Sequence, residues 1–116
     1  MKKVLEMRRE RNIGLLRSEL GRIQKELRAM GAKRIIHFGS FARGEAGLTS
    51  DLDLIVVIES KDDFPTRVAS IYKKIKPRVA VDFLVYTPGE FDNMKENSTF
   101  IKNVLREGKT LYETEL

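Results

Sequence analysis

Cysteine is absent from this chain of 116 residues, and none of its apolar runs is long. Without cysteine there is no disulfide bond and no thiolate metal site, and redox chemistry gives no information about the compartment. The apolar runs fall well short of the length needed to span a bilayer, and the N-terminal residues lack the apolar segment of a signal peptide. We therefore expect no membrane contact and a cytoplasmic location.

Length and charge indicate one small domain with a basic N-terminal part. A composition of 41% hydrophobic and 34% charged residues is typical of a globular protein. We expect a single domain over 1–116, divided into a basic amphipathic helix (1–31), a central core (33–86) and a C-terminal helix and tail (88–116). Residues 1–34 hold eleven Lys/Arg against four Glu, a charge of +7. Such a segment attracts nucleic acid, nucleotide or an acidic partner, although interleaved charges favour a solvated helix face.

Hydrophobic periodicity predicts the helices. Apolar residues recur every three or four positions from Ile13 to Met30, which indicates a helix ended by Gly31. Further helices are expected from Asp62 or Asp63 to Pro77 and over roughly 99–106. Thr87 and Glu90 have the spacing of a capping box.

Runs rich in β-branched and aromatic residues predict three strands at 33–38, 52–58 and 79–86, with a possible edge strand at 110–112. If the polar ends of the first two strands share one site, those strands are antiparallel. If Asp82 joins the same site, the second and third strands are parallel and joined by a right-handed crossover. We therefore expect an α/β fold with a mixed sheet of three to four strands and helices packed mainly on one face.

Two carboxylates one residue apart open the second strand. Asp51 and Asp53 precede the apolar run 54–58, and side chains at i and i+2 of a strand share a face. Carboxylates held so close repel each other, which raises the pKa of one of them unless a cation neutralises the pair. Hard oxygen ligands favour Mg²⁺ or Mn²⁺. The pattern therefore predicts a divalent metal site.

A third carboxylate, Asp82, lies inside the apolar strand 79–86, where it needs a partner or a cation. Three carboxylates from adjacent strands hold two metal ions about 4 Å apart in enzymes of in-line phosphoryl displacement. In that scheme one ion carries a nucleoside triphosphate, and the other lowers the pKa of an attacking hydroxyl whose proton passes to Asp82. A salt bridge from Asp82 to Arg34 or Arg78 is the alternative.

A phosphate-binding turn is predicted just before the carboxylate pair. Gly39 lets the backbone approach a phosphate closely. Ser40 would begin a short helix whose free N–H groups favour an anion, and its hydroxyl would also serve as a helix cap. Arg43 can pair with a phosphate or, at the surface, with Glu45. Ser50 can hydrogen-bond a phosphate or cap the strand entry.

Three motifs together resemble the DNA polymerase β-type nucleotidyltransferase superfamily, and the small size is most similar to its minimal nucleotidyltransferases. The motifs are Gly39-Ser40-Phe41-Ala42-Arg43-Gly44, Ser50-Asp51-Leu52-Asp53-Leu54 and Val81-Asp82-Phe83. The resemblance implies transfer of a nucleoside monophosphate, with ATP as the expected substrate, two Mg²⁺ or Mn²⁺ ions and release of pyrophosphate. It implies that the three aspartates bind metal and that Gly39 and Ser40 bind the triphosphate.

The acceptor is expected to be held from outside the chain, because the sequence has no room for the acceptor-gripping domains of larger superfamily members. A second protein, a second copy or the basic helix at 1–31 can hold it. The resemblance suggests the antitoxin of a type VII-like toxin–antitoxin pair that adenylylates a hydroxyl on a HEPN-type toxin. Two other hypotheses stay open: a module that neutralises the same partner by stoichiometric contact, and an accessory subunit that binds nucleic acid with strongly salt-dependent affinity.

Overall fold

Four strands form one mixed sheet. The computed structural model describes residues 2–45, 47 and 50–114. Residues 1 and 116, the two ends of the predicted domain, lie outside these ranges, as does position 46 of the predicted turn. The strands are β1 (Arg34–Phe38), β2 (Leu52–Val57), β3 (Val81–Tyr86) and β4 (Lys109–Glu113), in the order β3-β2-β1-β4. β1 is antiparallel to β2 and β4, whereas β2 and β3 are parallel. The expected strand directions and the edge strand are confirmed.

Within the described residues, five helices accompany the sheet: α1 (Lys2–Ala29), α2 (Gly39–Ala42), α3 (Phe64–Ile75), α4 (Pro88–Asn97) and α5 (Thr99–Glu107). α1 begins at Lys2, well before the apolar stripe that predicted this helix, and its residues 2–11 are exposed. Gly31, at φ 99°, follows its last turn in the left-handed region that favours glycine. No helix in the described ranges is long and apolar enough to cross a membrane.

The starts of α3 and α4 are set by side-chain caps that the sequence predicts. The carboxylate of Asp63 accepts the N–H of Thr66 at 3.0 Å, and Pro65 occupies the first turn of α3. At α4, the Thr87 hydroxyl accepts the N–H of Glu90, and the Glu90 carboxylate accepts the N–H of Thr87. Each cap satisfies helix N–H groups that have no intrahelical partner.

Helices cover both faces of the sheet. The larger core lies between one face and helices α1 and α3, around residues such as Leu54, Ile23 and Ile71. The smaller core lies between the other face and helices α4 and α5, and includes Ile55 and Ile101. The α/β class and the mixed sheet are confirmed, but the expectation that helices lie mainly on one face is corrected. Because β2 buries side chains on both faces, both faces need apolar cover.

A buried ion pair ties α1 to the end of α3. Glu19 is 2% exposed, and its carboxylate accepts Nε and Nη2 of Arg22 at 2.8 and 3.0 Å. The same carboxylate accepts the N–H of Arg78 at 2.8 Å. Arg22 also donates from Nη1 to the carbonyl of Ile75 at 3.1 Å. The pair therefore fixes the path of the chain from α3 into β3, and Arg22 holds the pKa of Glu19 down at about 2.

A second ionic contact ties α3 to α4. Arg67 is 7% exposed and makes a bidentate pair with Glu90, at 2.7 and 3.0 Å. Its Nη1 also donates to the carbonyl of Val85 at 2.8 Å, and its Nε to that of Asp62 at 2.9 Å. The guanidinium of Arg67 thus joins α3 to the C-terminal end of β3 and to the cap of α4. Only the five donors of an arginine in their fixed fork supply this set.

Candidate active site

Strand register brings the three aspartates together. The parallel pairing of β2 with β3 places Asp53 beside Asp82, and Asp51 immediately precedes β2. One carboxylate oxygen from each of the three lies within 4.8 Å of the others. Among the described residues Asp82 forms no salt bridge with Arg34 or Arg78, and Arg34 pairs instead with Glu113 at 3.8 Å. The cluster lies on the sheet face that carries α4 and α5.

Electrostatics in this cluster favour a bound cation. Burial, followed by the negative charges of Asp51 and Asp82, raises the pKa of Asp53 to about 6, while Arg43 acts in the opposite direction. A carboxylate beside two others in a partly buried site is destabilised as an anion. Three converging carboxylates are the hard oxygen donors that Mg²⁺ and Mn²⁺ prefer. The residues present therefore fit a divalent cation.

Gly39 connects β1 to α2 directly against the cluster. Its φ of 85° lies in the left-handed region, and a Cβ at this position would collide with the carboxylate of Asp53. Glycine is therefore required both for the turn and for the close approach. The residue preceding α2 is Phe38, without a side-chain cap, so the expectation that Ser40 caps this helix is wrong. Ser40 is instead its second residue, next to the glycine.

Arg43 and Ser50 have protein partners in the structure. The Nε of Arg43 donates to Glu45 at 3.2 Å, and both side chains are exposed. The hydroxyl of Ser50 accepts the N–H of Gly47 at 2.6 Å, which holds the loop before β2. Arg43 is nevertheless near enough to Asp53 to lower its pKa. Its role at a phosphate, like that of Ser50, stays a prediction.

His37 is a buried residue of β1. It is 3% exposed, and burial, followed by the charge of Lys109, lowers its pKa to about 4. Its ring lies 5.6 Å from that of Phe41, centroid to centroid. The imidazole is therefore neutral near pH 7.

Tyr72 lies near the cluster and was not identified from the sequence. Its ring packs edge-on against Phe83, with centroids 4.9 Å apart. Burial raises its pKa, and the negative charge of Asp82 contributes next in the same direction. The apolar spacing of α3 predicts that this helix covers the sheet, but which of its side chains lies near Asp82 depends on the angle of the helix.

A cavity of about 270 Å³ opens beside Gly39 and Arg43. Its far wall comes from α5, where Phe100 is 47% exposed and meets Phe38 edge-on with centroids 5.7 Å apart. Asn103 adds an amide to the same wall. Because α5 is some sixty residues away along the chain, no local pattern predicts this wall. The volume is slightly below the usual range for small-ligand pockets, about 300–1,000 Å³. Gly39, which lines this cavity, also lies against the carboxylate of Asp53.

A mixed sheet with three carboxylates beside a Gly-Ser turn is the arrangement expected of a nucleotidyltransferase. Comparison with known proteins gives the family. Residues 20–112 match the family described as "Nucleotidyltransferase domain", and the chain belongs to this family. It is 38% identical over 82 residues to a Methanocaldococcus jannaschii protein named "Putative protein adenylyltransferase", an alignment that covers 69% of this chain and 78% of the relative.

The fold is similar to a solved structure as well. The crystal structure of "a putative nucleotidyltransferase from Sulfolobus solfataricus" matches 94% of this chain and 86% of that chain with a TM-score of 0.57. The two sequences are 21% identical, so this likeness concerns the fold alone. The nucleotidyltransferase fold expected from the sequence is confirmed.

Proposed function

We propose that this chain is a metal-dependent nucleotidyltransferase that transfers AMP from ATP to a hydroxyl on a partner protein. The observation that carries the proposal is the meeting of Asp51, Asp53 and Asp82 within 4.8 Å, with Gly39 packed against Asp53. Family membership supports nucleotidyl transfer. The name of the relative from Methanocaldococcus jannaschii supports the choice of adenylyl group and of protein acceptor.

Asp51, Asp53 and Asp82 would hold the divalent ions. When bound there, Mg²⁺ supplies positive charge to the phosphoryl oxygens and lowers the pKa of a coordinated hydroxyl. Asp53 is half-buried and lies against Gly39. Asp82 is exposed, and an exposed carboxylate at the rim of the cluster is accessible to an acceptor hydroxyl. We assign to Asp82 the uptake of the hydroxyl proton.

Gly39 and Ser40 would receive the triphosphate, because the missing side chain at position 39 leaves backbone open beside the carboxylates. Arg43 would exchange its exposed partner Glu45 for a phosphate oxygen, since an exposed ion pair contributes at most about 1 kcal/mol. The cavity between Gly39 and Phe100 would accept the nucleoside, with the exposed ring of Phe100 as a stacking surface.

The proposal also names the class of acceptor protein. A HEPN-type toxin, with this chain as its antitoxin, is the partner that the family resemblance favours. The exposed N-terminal part of α1, residues 2–11, offers a surface for such a partner. The cytoplasmic location stays a prediction.

The test is transfer of label from ATP. Purified protein, Mg²⁺ and α-labelled ATP are incubated with lysate of the native cell, beside Asp51→Asn/Asp53→Asn and a control, Asp92→Asn, whose carboxylate lies on α4 in an exposed pair with Lys95. Wild type and control should label one discrete protein, and the double variant should not. Equal labelling by the double variant would contradict the enzymatic proposal. Absence of label with all four nucleoside triphosphates would favour the stoichiometric binding module.

A further inference from the structure

A second cavity, of about 320 Å³, lies between α1, the β1–α2 segment and the start of β4. We call it the basic cavity; its lining residues are Arg9, Ile13, Arg17, Leu20, His37, Phe41, Ala42, Gly44, Lys109 and Leu111. It differs from the cavity beside the carboxylates, which is lined by Phe38, Gly39 and Arg43. His37 and Phe38 are neighbours in β1 and point to opposite faces of the sheet. The two cavities therefore lie on opposite sides of that strand.

The lining of the basic cavity combines positive charge with apolar surface. Two arginines and one lysine contribute to it, and no acidic residue is among the described side chains that line it. Arg17 and Lys109 are exposed, so their charged groups are available to a solute. Ile13, Leu20 and Leu111 supply aliphatic walls, and Phe41 supplies an aromatic ring. Guanidinium and ammonium groups over apolar walls suit a phosphate attached to a flat organic group.

His37 adds an unsatisfied polar group to this cavity. The residue is 3% exposed, and its Nε2 has no hydrogen-bond partner among the described atoms. A buried donor or acceptor without a partner costs about 1–3 kcal/mol. A small shift of the ring toward a ligand would recover part of that cost, because His37 already lines the cavity.

We propose that the basic cavity binds a nucleoside phosphate, with the phosphate held by Arg17 and Lys109 and the base packed on Phe41. The volume, about 320 Å³, lies at the lower end of the range for small-molecule pockets, about 300–1,000 Å³, which suits a mononucleotide. Because the charged residues that line the cavity are all cationic, we expect the phosphate rather than the base to provide most of the affinity. This site is independent of the carboxylates and does not rest on the proposed nucleotidyl transfer.

The experiment uses fluorescent N-methylanthraniloyl-AMP in EDTA, on the full chain carrying Asp53→Asn, so that metal-dependent binding at the carboxylates does not contribute. The probe should bind saturably. Arg17→Ala/Lys109→Ala should weaken binding roughly tenfold or more, the effect of losing charge-assisted hydrogen bonds. The matched control Lys25→Ala/Lys102→Ala removes the same charge from exposed positions on α1 and α5 and should leave the affinity within about twofold.

Three results would overturn the proposal: no saturable binding in EDTA, equal weakening by both double variants, or equal affinity for N-methylanthraniloyl-adenosine, which lacks the phosphate. Far-UV circular dichroism and thermal unfolding of each variant show whether it is folded. Both substituted side chains are exposed, so we expect unchanged unfolding temperatures. The labelling experiment with ATP can fail without affecting this result, and the reverse also holds.

Discussion

Gly39 and Asp53 lie so close together that a single methyl group at position 39 would collide with the carboxylate at position 53. Gly39 follows the last residue of β1 and has a φ of 85°, and Asp53 pairs with the preceding residue, Phe38, across the β1–β2 ladder. The turn at Gly39 and the strand that carries Asp53 are therefore fitted to each other. A change in either residue should affect both stability and transfer.

Gly39→Ala should abolish nucleotidyl transfer and destabilise the fold by about 2–4 kcal/mol, because it adds backbone strain and a steric collision. Gly44→Ala separates these two effects: Gly44 has φ 77°, but a Cβ there meets nothing within 4 Å. We expect about 1 kcal/mol of destabilisation from the backbone conformation alone. Urea unfolding of both variants measures the difference. Equal losses would show that the contact with Asp53 is unimportant.

Asp53→Asn should stabilise the protein in EDTA while removing its activity. Burial and two neighbouring carboxylates raise the pKa of Asp53 to about 6, so its charged form opposes folding at neutral pH. Allowing for partial exposure, we expect a gain of about 1 kcal/mol. Mg²⁺ should raise the unfolding temperature of the wild type and have little effect on the variant. Thermal unfolding with and without Mg²⁺ provides the measurement, with Asp92→Asn expected to behave as wild type.

Glu19→Gln should lower the free energy of unfolding by about 2–3 kcal/mol, because Arg22 loses its buried partner. Glu10→Gln, at an exposed position of α1, should change it by no more than about 0.5 kcal/mol. Denaturant unfolding at neutral pH compares the two variants. Similar effects of both changes would mean that the ion pair contributes nothing specific.

Acid should destabilise the wild type through the same group. The pKa of Glu19 falls from 4.5 to about 2 on folding, and Arg67 and the cap at Thr87 lower that of Glu90 to about 2 as well. Both carboxyls bind more protons in the unfolded state, so their stabilisation is complete above about pH 4.5 and is lost as the pH falls toward about 2. Unfolding midpoints across this window should fall less steeply for Glu19→Gln than for the wild type.

Arg67→Lys should destabilise the fold by about 2–4 kcal/mol although the charge is kept. Lysine cannot reproduce a bidentate pair with Glu90 together with donors to two carbonyl groups. Arg106→Lys, at an exposed position of α5, is the matched control and should be within about 0.5 kcal/mol of the wild type. Thermal unfolding at neutral pH tests this, and a tolerated Arg67→Lys would contradict it.

Local rules predicted most of the fold. Strand periodicity and the positions of polar residues gave the mixed sheet and its strand directions, and the caps at Asp63 and Thr87 fixed two helix starts. Local rules failed for Ser40, because the helix after Gly39 begins without a side-chain cap. They also failed to place helices on both faces, since a strand buried on both sides gives no signal for which helix covers which face.

The aspartates of the candidate site were predictable from the sequence, whereas the residues that helices bring to it were not. Alternation along β2 put Asp51 and Asp53 on one face, and element order implied that Asp82 would join them. Phe100 was not predictable, because it lines the cavity beside Gly39 from a helix whose angle is set by packing. Glu19 and Arg67 read as ordinary surface charges on amphipathic helices, and their burial depends on partners far along the chain.

The sequence by itself determined the chemistry: three carboxylates, a glycine where the chain must turn with φ positive, and the periods that make strands and helices. These follow from side-chain type and local sterics, which act over a few residues. The tertiary structure alone decided the register that sets Asp53 beside Asp82, the buried ion pairs and the two cavities. Those depend on which distant surfaces pack together, and the free energy of that packing is shared over the whole core rather than stored in any segment.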